Sequence, residues 1–162
     1  MIRLLPMDAW VHEVVALDQK ISPAPWNAEM FLEEARLGAW LQVGVSGERT
    51  LAGYVVARPL FDEWHLLTLG VAPRFRRLGL GRRLVASLLG AALARQGRCV
   101  VLEVRVSNVA ARLLYQGLGF VTVGVRRGYY RHGPYGPEDG LVMTWVPTAH
   151  DPDEGSDKII FD

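Results

Sequence analysis

One strand–helix–strand unit constrains the fold of this chain more than any other feature. The apolar segment 64–71 leads through a turn with two glycines into the helical pattern of 80–96, and the apolar segment 100–106 follows. A helical crossover of this kind normally aligns its two strands in parallel. The earlier apolar segments are joined by short connections, which are typical of antiparallel hairpins. The sequence therefore predicts a mixed sheet with one parallel strand pair.

Apolar periodicity predicts seven strands and four helices. The strands are expected at 2–5, 40–45, 51–60, 64–71, 100–106, 120–125 and 141–146, and the helices at 7–21, 28–37, 80–96 and 109–118. Asn27 and Asn108 are suitable N-caps, and Trp26 and Phe31 have the spacing of a hydrophobic staple. The segment 126–140 is expected to be a loop.

Length and composition are those of one soluble domain. The chain has 162 residues, of which 50% are hydrophobic and 22% are charged, as in an ordinary globular protein. We expect the domain to span 1–147 and an acidic, flexible tail to occupy 148–162. The formal net charge is only +1, which argues against nucleic-acid binding through overall charge.

The remaining composition points to a cytoplasmic protein without a membrane partner. Cys99 is the only cysteine, so an intramolecular disulfide is excluded and a reducing compartment is favoured. Pro6 and Asp8 interrupt the first apolar run too early for a signal peptide, and no window approaches the length of a membrane span. The four histidines are scattered, so we expect no metal site.

The turn before the third helix has the composition of a phosphate-binding site. Gly79 and Gly81 allow close backbone approach, and a helix N-terminus favours an anion. Five arginines surround this turn: Arg74, Arg76, Arg77, Arg82 and Arg83. The alternative is an ordinary connection with a solvated basic face. A Walker loop requires Lys-Ser/Thr after its last glycine, and a dinucleotide fold requires a third glycine. Neither is present at these positions, so both nucleotide folds are disfavoured.

Three polar residues downstream are candidates for chemistry. Glu103 lies inside an apolar strand, where a carboxylate is costly unless it is paired or faces a wet cleft. The structural alternative is an ion pair with Arg105 on the same face of the strand. Asn108 and Tyr115 are seven residues apart, two turns along one helix face. Either could be plain architecture, Asn108 as an N-cap and Tyr115 as a core residue, but together with Glu103 they offer an orienting amide and a phenolic acid beside a carboxylate base.

These motifs together resemble the GNAT superfamily of acyl-CoA-dependent N-acetyltransferases. The family signature, Arg/Gln-x-x-Gly-x-Gly/Ala, is matched by Arg76-Arg77-Leu78-Gly79-Leu80-Gly81. Four further segments are similar to the RimI branch, which acetylates the N-terminal alanine of small-subunit ribosomal protein S18: Leu102–Asn108, Leu114–Phe120, Arg126–Tyr130 and Pro25–Trp26. The resemblance covers about 2–146. It implies an α+β fold with a mostly antiparallel seven-stranded sheet, one central splayed parallel pair and about four flanking helices.

The resemblance also implies the site. Acetyl-CoA would lie between the splayed strands, and direct attack of the amine on the thioester would transfer the acetyl group. Glu103 matches the family's general base and Tyr115 its general acid. The cofactor-binding positions would be Leu69, Gly70, Val71, Arg76, Arg77, Leu78, Gly79, Leu80, Gly81, Arg82 and Asn108. Gly70 replaces the commoner small alanine or serine, so a looser backbone is expected there.

Other functions remain open from the sequence. The expected partner is a protein N-terminus, that of a ribosomal protein, but lysine or small-amine acetyltransferases share the motifs. Loops such as 22–27 and 126–140 set the acceptor, and sequence resolves them poorly. A non-catalytic CoA-binding module or an RNA-binding ribosome-associated protein belongs to a different class. The pair Glu103 and Tyr115 argues against the first, and the small net charge argues against the second. The oligomeric state is undetermined.

Overall fold

The computed structural model of the protein describes residues 1–132 and 136–147. The strands are β1 (Ile2–Pro6), β2 (Trp40–Ser46), β3 (Thr50–Leu60), β4 (Glu63–Val71), β5 (Cys99–Arg105), β6 (Val121–Tyr130) and β7 (Glu138–Trp145). The helices are α1 (Val11–Ile21), α2 (Ala28–Arg36), α3 (Leu80–Ala94) and α4 (Val109–Gly117). The expected acidic tail, 148–162, lies outside the described residues.

The strands form one mixed sheet in the order β1-β2-β3-β4-β5-β7-β6. β4 and β5 pair in parallel, and the other neighbours pair antiparallel. The parallel pair is connected by α3, as the strand–helix–strand pattern predicts. The expected α+β architecture is confirmed.

The parallel pair opens along its length. Within the described chain, the register of β4 with β5 extends from Glu63–Cys99 to His65–Val101. Both strands continue beyond this register, β4 to Val71 and β5 to Arg105. Pairing between them therefore stops at the third residue of each strand, and a gap opens towards their carboxyl ends.

Two apolar clusters cover the two faces of the sheet. Alternate residues of β3 belong to different clusters, since Val55 packs with α3 whereas Tyr54 and Val56 pack with α1 and α2. Successive side chains of a strand point to opposite faces, so the helices form a layer on each side. The cluster beside α3 includes Leu84, Leu88, Trp64, Trp145 and Phe120. The sheet is therefore held rigidly on both sides of the gap.

The capping predictions agree with the structure. The side chain of Asn27 accepts a hydrogen bond from the Met30 N–H at 2.9 Å, and the side chain of Asn108 accepts one from the Ala111 N–H at 3.2 Å. The rings of Trp26 and Phe31 are 5.0 Å apart between centroids, as a hydrophobic staple requires.

The prediction of a loop over 126–140 is wrong for much of its length. β6 continues to Tyr130 and β7 begins at Glu138, with Arg126 opposite Gly140 and Tyr130 opposite Glu138. β6 is the edge strand of the sheet and is mostly exposed. An edge strand needs no regular apolar alternation, so its polar residues resembled a loop in the sequence.

None of the helices in the described part of the chain is long and apolar enough to cross a lipid bilayer.

Candidate active site

The glycine turn leaves β4 and enters α3 through a strained backbone. Gly79 precedes the first residue of α3 and has φ +78°, a left-handed conformation that glycine adopts without a steric penalty. Arg77 also has a positive φ, +61°, which is unusual for a residue with a side chain. A Cβ on Gly79 would meet no atom within 4 Å, so this glycine is required for its conformation rather than for space.

Three of the five arginines around the turn donate hydrogen bonds to backbone carbonyls of the protein. The Nε of Arg76 donates to the Val71 carbonyl at 3.1 Å. Arg82 donates to the Gly117 carbonyl at 3.4 Å, and Arg83 donates to the Ile2 carbonyl at 3.0 Å. These contacts fix the turn against both β4 and α4.

A cleft of about 630 Å³ lies between the end of β4, the turn, and the first turns of α3 and α4. We refer to it as the α3–α4 cleft. Many of the expected cofactor positions line it: Leu69, Val71, Arg76, Arg77, Gly79, Leu80, Gly81, Arg82 and Asn108. Four lining residues were not anticipated: Phe75, Ala110, Ala111 and Leu114. A Cβ on Gly81 would lie 3.4 Å from Leu114, in ordinary van der Waals contact.

Gly70 and Leu78 are not part of the cleft wall. Leu78 is 66% exposed. Gly70 is buried on β4, and a Cβ at this position would overlap the ring of Tyr54. The expectation of a looser backbone at Gly70 is therefore wrong, because the missing side chain is replaced by the ring of a buried tyrosine.

A second cavity, of about 330 Å³, lies where β4 and β5 begin to separate. We refer to it as the β4–β5 cavity. Its wall is formed by the opening strands and the end of β6: His65, Leu66, Leu67, Val101, Leu102, Glu103, Tyr129 and Tyr130. Glu103 thus lies on the wall of a cavity, as its position in an apolar strand suggested.

Glu103 pairs with Arg126 rather than with Arg105, the partner in the structural alternative drawn from the sequence. Its Oε1 accepts a hydrogen bond from Nη1 of Arg126 at 2.7 Å. Arg105, the partner considered from the sequence, instead lies 3.8 Å from the Glu138 carboxylate and stacks over the Tyr130 ring at 4.2 Å. Arg126 reaches Glu103 from β6 across the intervening strand β7, whereas the guanidinium of Arg105 is directed to Glu138 and Tyr130.

Tyr115 is buried beneath the site. It is 6% exposed and packs against Phe120, with ring centroids 5.6 Å apart. Burial, with a smaller contribution from nearby Tyr130, raises the pKa of the Tyr115 phenol, so the phenol is neutral near pH 7. Among the described residues, Tyr115 lines neither of the two cavities. Its expected role as an acid remains a prediction.

Tyr130 lies near both candidate catalytic residues. Burial, followed by the charge of Glu103, raises the pKa of Tyr130 to about 12. Tyr130 in turn contributes to the raised pKa of Tyr115. Arg126 and Tyr130 belong to a family motif in the sequence, but they were expected in a loop. The sequence feature that pointed to these residues was the segment Arg126-Arg127-Gly128-Tyr129-Tyr130, with paired arginines and paired tyrosines.

Among residues 1–132 and 136–147, no group of three or more histidine, cysteine, aspartate or glutamate side chains could hold a metal ion.

A sheet that opens between two parallel strands, beside a left-handed glycine turn, is the arrangement expected of an acyl-CoA-dependent acetyltransferase. Residues 9–120 match the Acetyltransferase (GNAT) family. The chain belongs to this family and is an N-acetyltransferase.

Two individual relatives show which N-acetyltransferases the chain is similar to. The chain is 32% identical over 127 residues to the [ribosomal protein bS18]-alanine N-acetyltransferase of Salmonella typhimurium, covering 78% of this chain and 84% of that protein. It is 41% identical over 111 residues to the N-alpha-acetyltransferase RimI of Mycobacterium tuberculosis, covering 66% and 68% of the two chains.

Solved structures agree in fold. The crystal structure of the ribosomal-protein-S18-alanine N-acetyltransferase from Escherichia coli superposes with a TM-score of 0.84 at 26% identity, over 96% of this chain and 99% of that one. Arabidopsis thaliana NAA60 in complex with acetyl-CoA has a TM-score of 0.80 at 20% identity, over 90% and 98% of the two chains.

Proposed function

We propose that this protein transfers the acetyl group of acetyl-CoA to the N-terminal α-amino group of a protein, with the N-terminal alanine of ribosomal protein S18 as its acceptor. The observation that carries the proposal is the position of Glu103 on the cavity wall where β4 and β5 separate. The name of the Salmonella typhimurium relative supports this acceptor, and the name of the Mycobacterium tuberculosis relative supports an α-amino group.

The α3–α4 cleft fits acetyl-CoA. The N-terminus of α3, preceded by the left-handed Gly79, would bind the pyrophosphate through backbone N–H groups. The backbone of 69–71 lies along β4 beyond its register with β5, and an extended ligand would bind along this edge in a strand-like manner, beside the Val71 carbonyl that accepts from Arg76. Asn108 uses its side-chain oxygen to cap α4, which leaves its amide N–H group to contact the pantetheine arm.

The charge state of the amine favours an α-amino acceptor. An α-amino group has a pKa near 8, whereas a lysine side chain has a pKa of about 10.4. Deprotonation at pH 7 therefore costs roughly 1 kcal/mol for the first and between about 4 and 5 kcal/mol for the second. Glu103, acting through water, is sufficient as a base for the α-amine. The neutral phenol of Tyr115 would then protonate the departing CoA thiolate.

A lysine or small-amine acetyltransferase is the alternative within the family. It would use the same cofactor cleft and differ on the acceptor side, which includes the α1–α2 connection and the end of β6. A non-catalytic CoA-binding module, or a protein that binds RNA, is the alternative outside enzymes.

A thiol-release assay with acetyl-CoA and two peptides tests the proposal. One peptide carries a free N-terminal alanine and no lysine, and the other has a blocked N-terminus and one internal lysine. We expect turnover on the first peptide, with the acetyl group located on the α-amine by mass spectrometry. Turnover on the lysine peptide alone would exclude the N-terminal function. Steeply salt-dependent RNA binding without acetyl-CoA binding would exclude the enzymatic one.

A further inference from the structure

Arg126 holds the carboxylate of Glu103 from a strand two positions away in the sheet. Glu103 lies on β5 and Arg126 lies on β6, with β7 between them. The bond from Nη1 of Arg126 to Oε1 of Glu103 is 2.7 Å long. The side chain of Arg126 is 52% exposed, so solvent screens this ion pair and its contribution to folding stability is small. Stability alone therefore gives little reason for this contact.

Two other contacts restrain Arg126. Its guanidinium stacks over the ring of Tyr129 at 4.0 Å from the ring centroid. Its backbone is held in the sheet opposite Gly140 on β7. A guanidinium that stacks on an aromatic ring loses much of its conformational freedom. Arg126 is therefore a fixed donor for Glu103 rather than a freely moving surface charge.

The two oxygens of Glu103 are in different environments. Arg126 engages Oε1, whereas Oε2 is buried and accepts no hydrogen bond from the described residues. An uncommitted buried carboxylate oxygen is costly for folding alone and is typical of sites with a chemical role. The ion pair thus holds Oε1, while Oε2 has no donor among the described residues.

Resting on the proposed function, we propose that Arg126 is a positioning residue for acetyl transfer. It fixes the carboxylate of Glu103 on the wall of the β4–β5 cavity, where the carboxylate receives the proton that the acceptor ammonium loses through water. The N–H bond of the ammonium breaks and an O–H bond forms on Glu103. The freed lone pair forms the new N–C bond at the thioester carbonyl, and the C–S electrons leave with the CoA thiolate, which takes the Tyr115 proton. The nitrogen, which is cationic after the attack, then loses its second proton to the Tyr115 phenolate, so that the amide forms and the phenol is restored.

A double-mutant cycle tests this role. The variants Arg126→Met and Arg126→Lys are prepared in the wild-type and in the Glu103→Gln background, and kcat and KM are measured with acetyl-CoA and the acceptor peptide. We expect Arg126→Met to lower kcat about tenfold in the wild-type background while leaving the acetyl-CoA KM unchanged, and we expect Arg126→Lys to recover part of the loss. In the Glu103→Gln background, Arg126→Met should cause no further loss.

A matched control is available just before β5, the strand that carries Glu103. Arg98 pairs with Asp62 at 3.3 Å in an exposed ion pair just before β5, and Arg98→Met should leave kcat unchanged. Thermal unfolding identifies any variant that fails to fold, in which case Arg126→Lys decides the outcome.

Two results would overturn the positioning role alone, provided that the wild-type chain is active. They are an unchanged kcat in Arg126→Met, and an equal loss in both backgrounds, which would indicate a structural effect independent of Glu103. A wild-type chain that transfers acetyl to neither peptide would instead overturn the proposed function, and the positioning role with it.

Discussion

At the scale of single residues, the site depends on two groups in opposite environments. Glu103 lines a cavity with a 27% exposed side chain, whereas Tyr115 is nearly inaccessible. A carboxylate that must accept a proton needs access to water, and a phenol that must donate one at neutral pH benefits from burial, which keeps it protonated. The same fold supplies both environments within one wall of the sheet and the helix that follows it.

Substitution of either residue should separate chemistry from binding. We expect Glu103→Gln and Tyr115→Phe each to lower kcat on the order of a hundredfold or more, because each removes a proton-transfer group. Acetyl-CoA should still bind, since the α3–α4 cleft is formed by other residues. Steady-state kinetics and calorimetric titration with acetyl-CoA measure the two effects. Near-normal turnover by one variant would remove that residue from its role.

At the scale of elements, the connection between α1 and α2 is anchored to the sheet by a buried carboxylate. Asp18 on α1 is 1% exposed. It accepts hydrogen bonds from the Trp26 N–H at 2.7 Å and from the Tyr54 hydroxyl on β3. The Tyr54 ring in turn fills the space beside Gly70 on β4. The acceptor-side connection and the expected pantetheine-binding strand therefore share one packed contact.

A methyl group at Gly70 should disturb this contact. Gly70→Ala places a Cβ within the Tyr54 ring, and overpacking of this kind typically costs between about 1 and 3 kcal/mol of unfolding free energy. Gly90→Ala is the matched control, because Gly90 lies inside α3 and a Cβ there meets nothing within 4 Å. It should instead stabilise the protein by roughly 0.5 to 1 kcal/mol. Urea unfolding measures both changes, and equal stability of the two variants would contradict the packing argument.

At the scale of the whole molecule, the two apolar layers hold a sheet that is open at its centre. α3 packs on one face, and α1 and α2 pack on the other. The gap between β4 and β5 thus persists between strands that are well supported on their other edges by β3 and β7. Tyrosines are buried on both sides of this sheet, including Tyr54 and Tyr115. Their burial makes the unfolding free energy depend on pH in the alkaline range.

The unfolding free energy should fall above about pH 10, the ordinary pKa of tyrosine. Burial raises the pKa of Tyr115 in the folded protein, so the folded state retains a proton that the unfolded state has lost. The resulting stabilisation is complete below the unfolded pKa and is lost as pH rises above it. Tyr115→Phe should therefore show a shallower decline, by up to about 1.4 kcal/mol per pH unit. Urea unfolding at several pH values tests this, and parallel slopes for both proteins would contradict it.

The sequence by itself determined the order of the elements, the parallel pair and the glycine turn. These features depend on local patterns: apolar periodicity, the N-caps Asn27 and Asn108, and a helix between two strands, which normally makes those strands parallel. It also indicated Glu103, because a carboxylate inside an apolar strand needs a cavity or a partner. Such signals lie within a few residues of each other along the chain.

Only the tertiary structure decided which residues meet across the sheet. Arg126 replaced Arg105 as the partner of Glu103, because β6 is an edge strand whose register is set by pairing with β7 rather than by its own sequence. The packing of Tyr54 against Gly70 likewise joins residues from neighbouring strands. Contacts of this kind depend on strand register and on the direction of side chains, and neither is recorded in the local pattern of one strand.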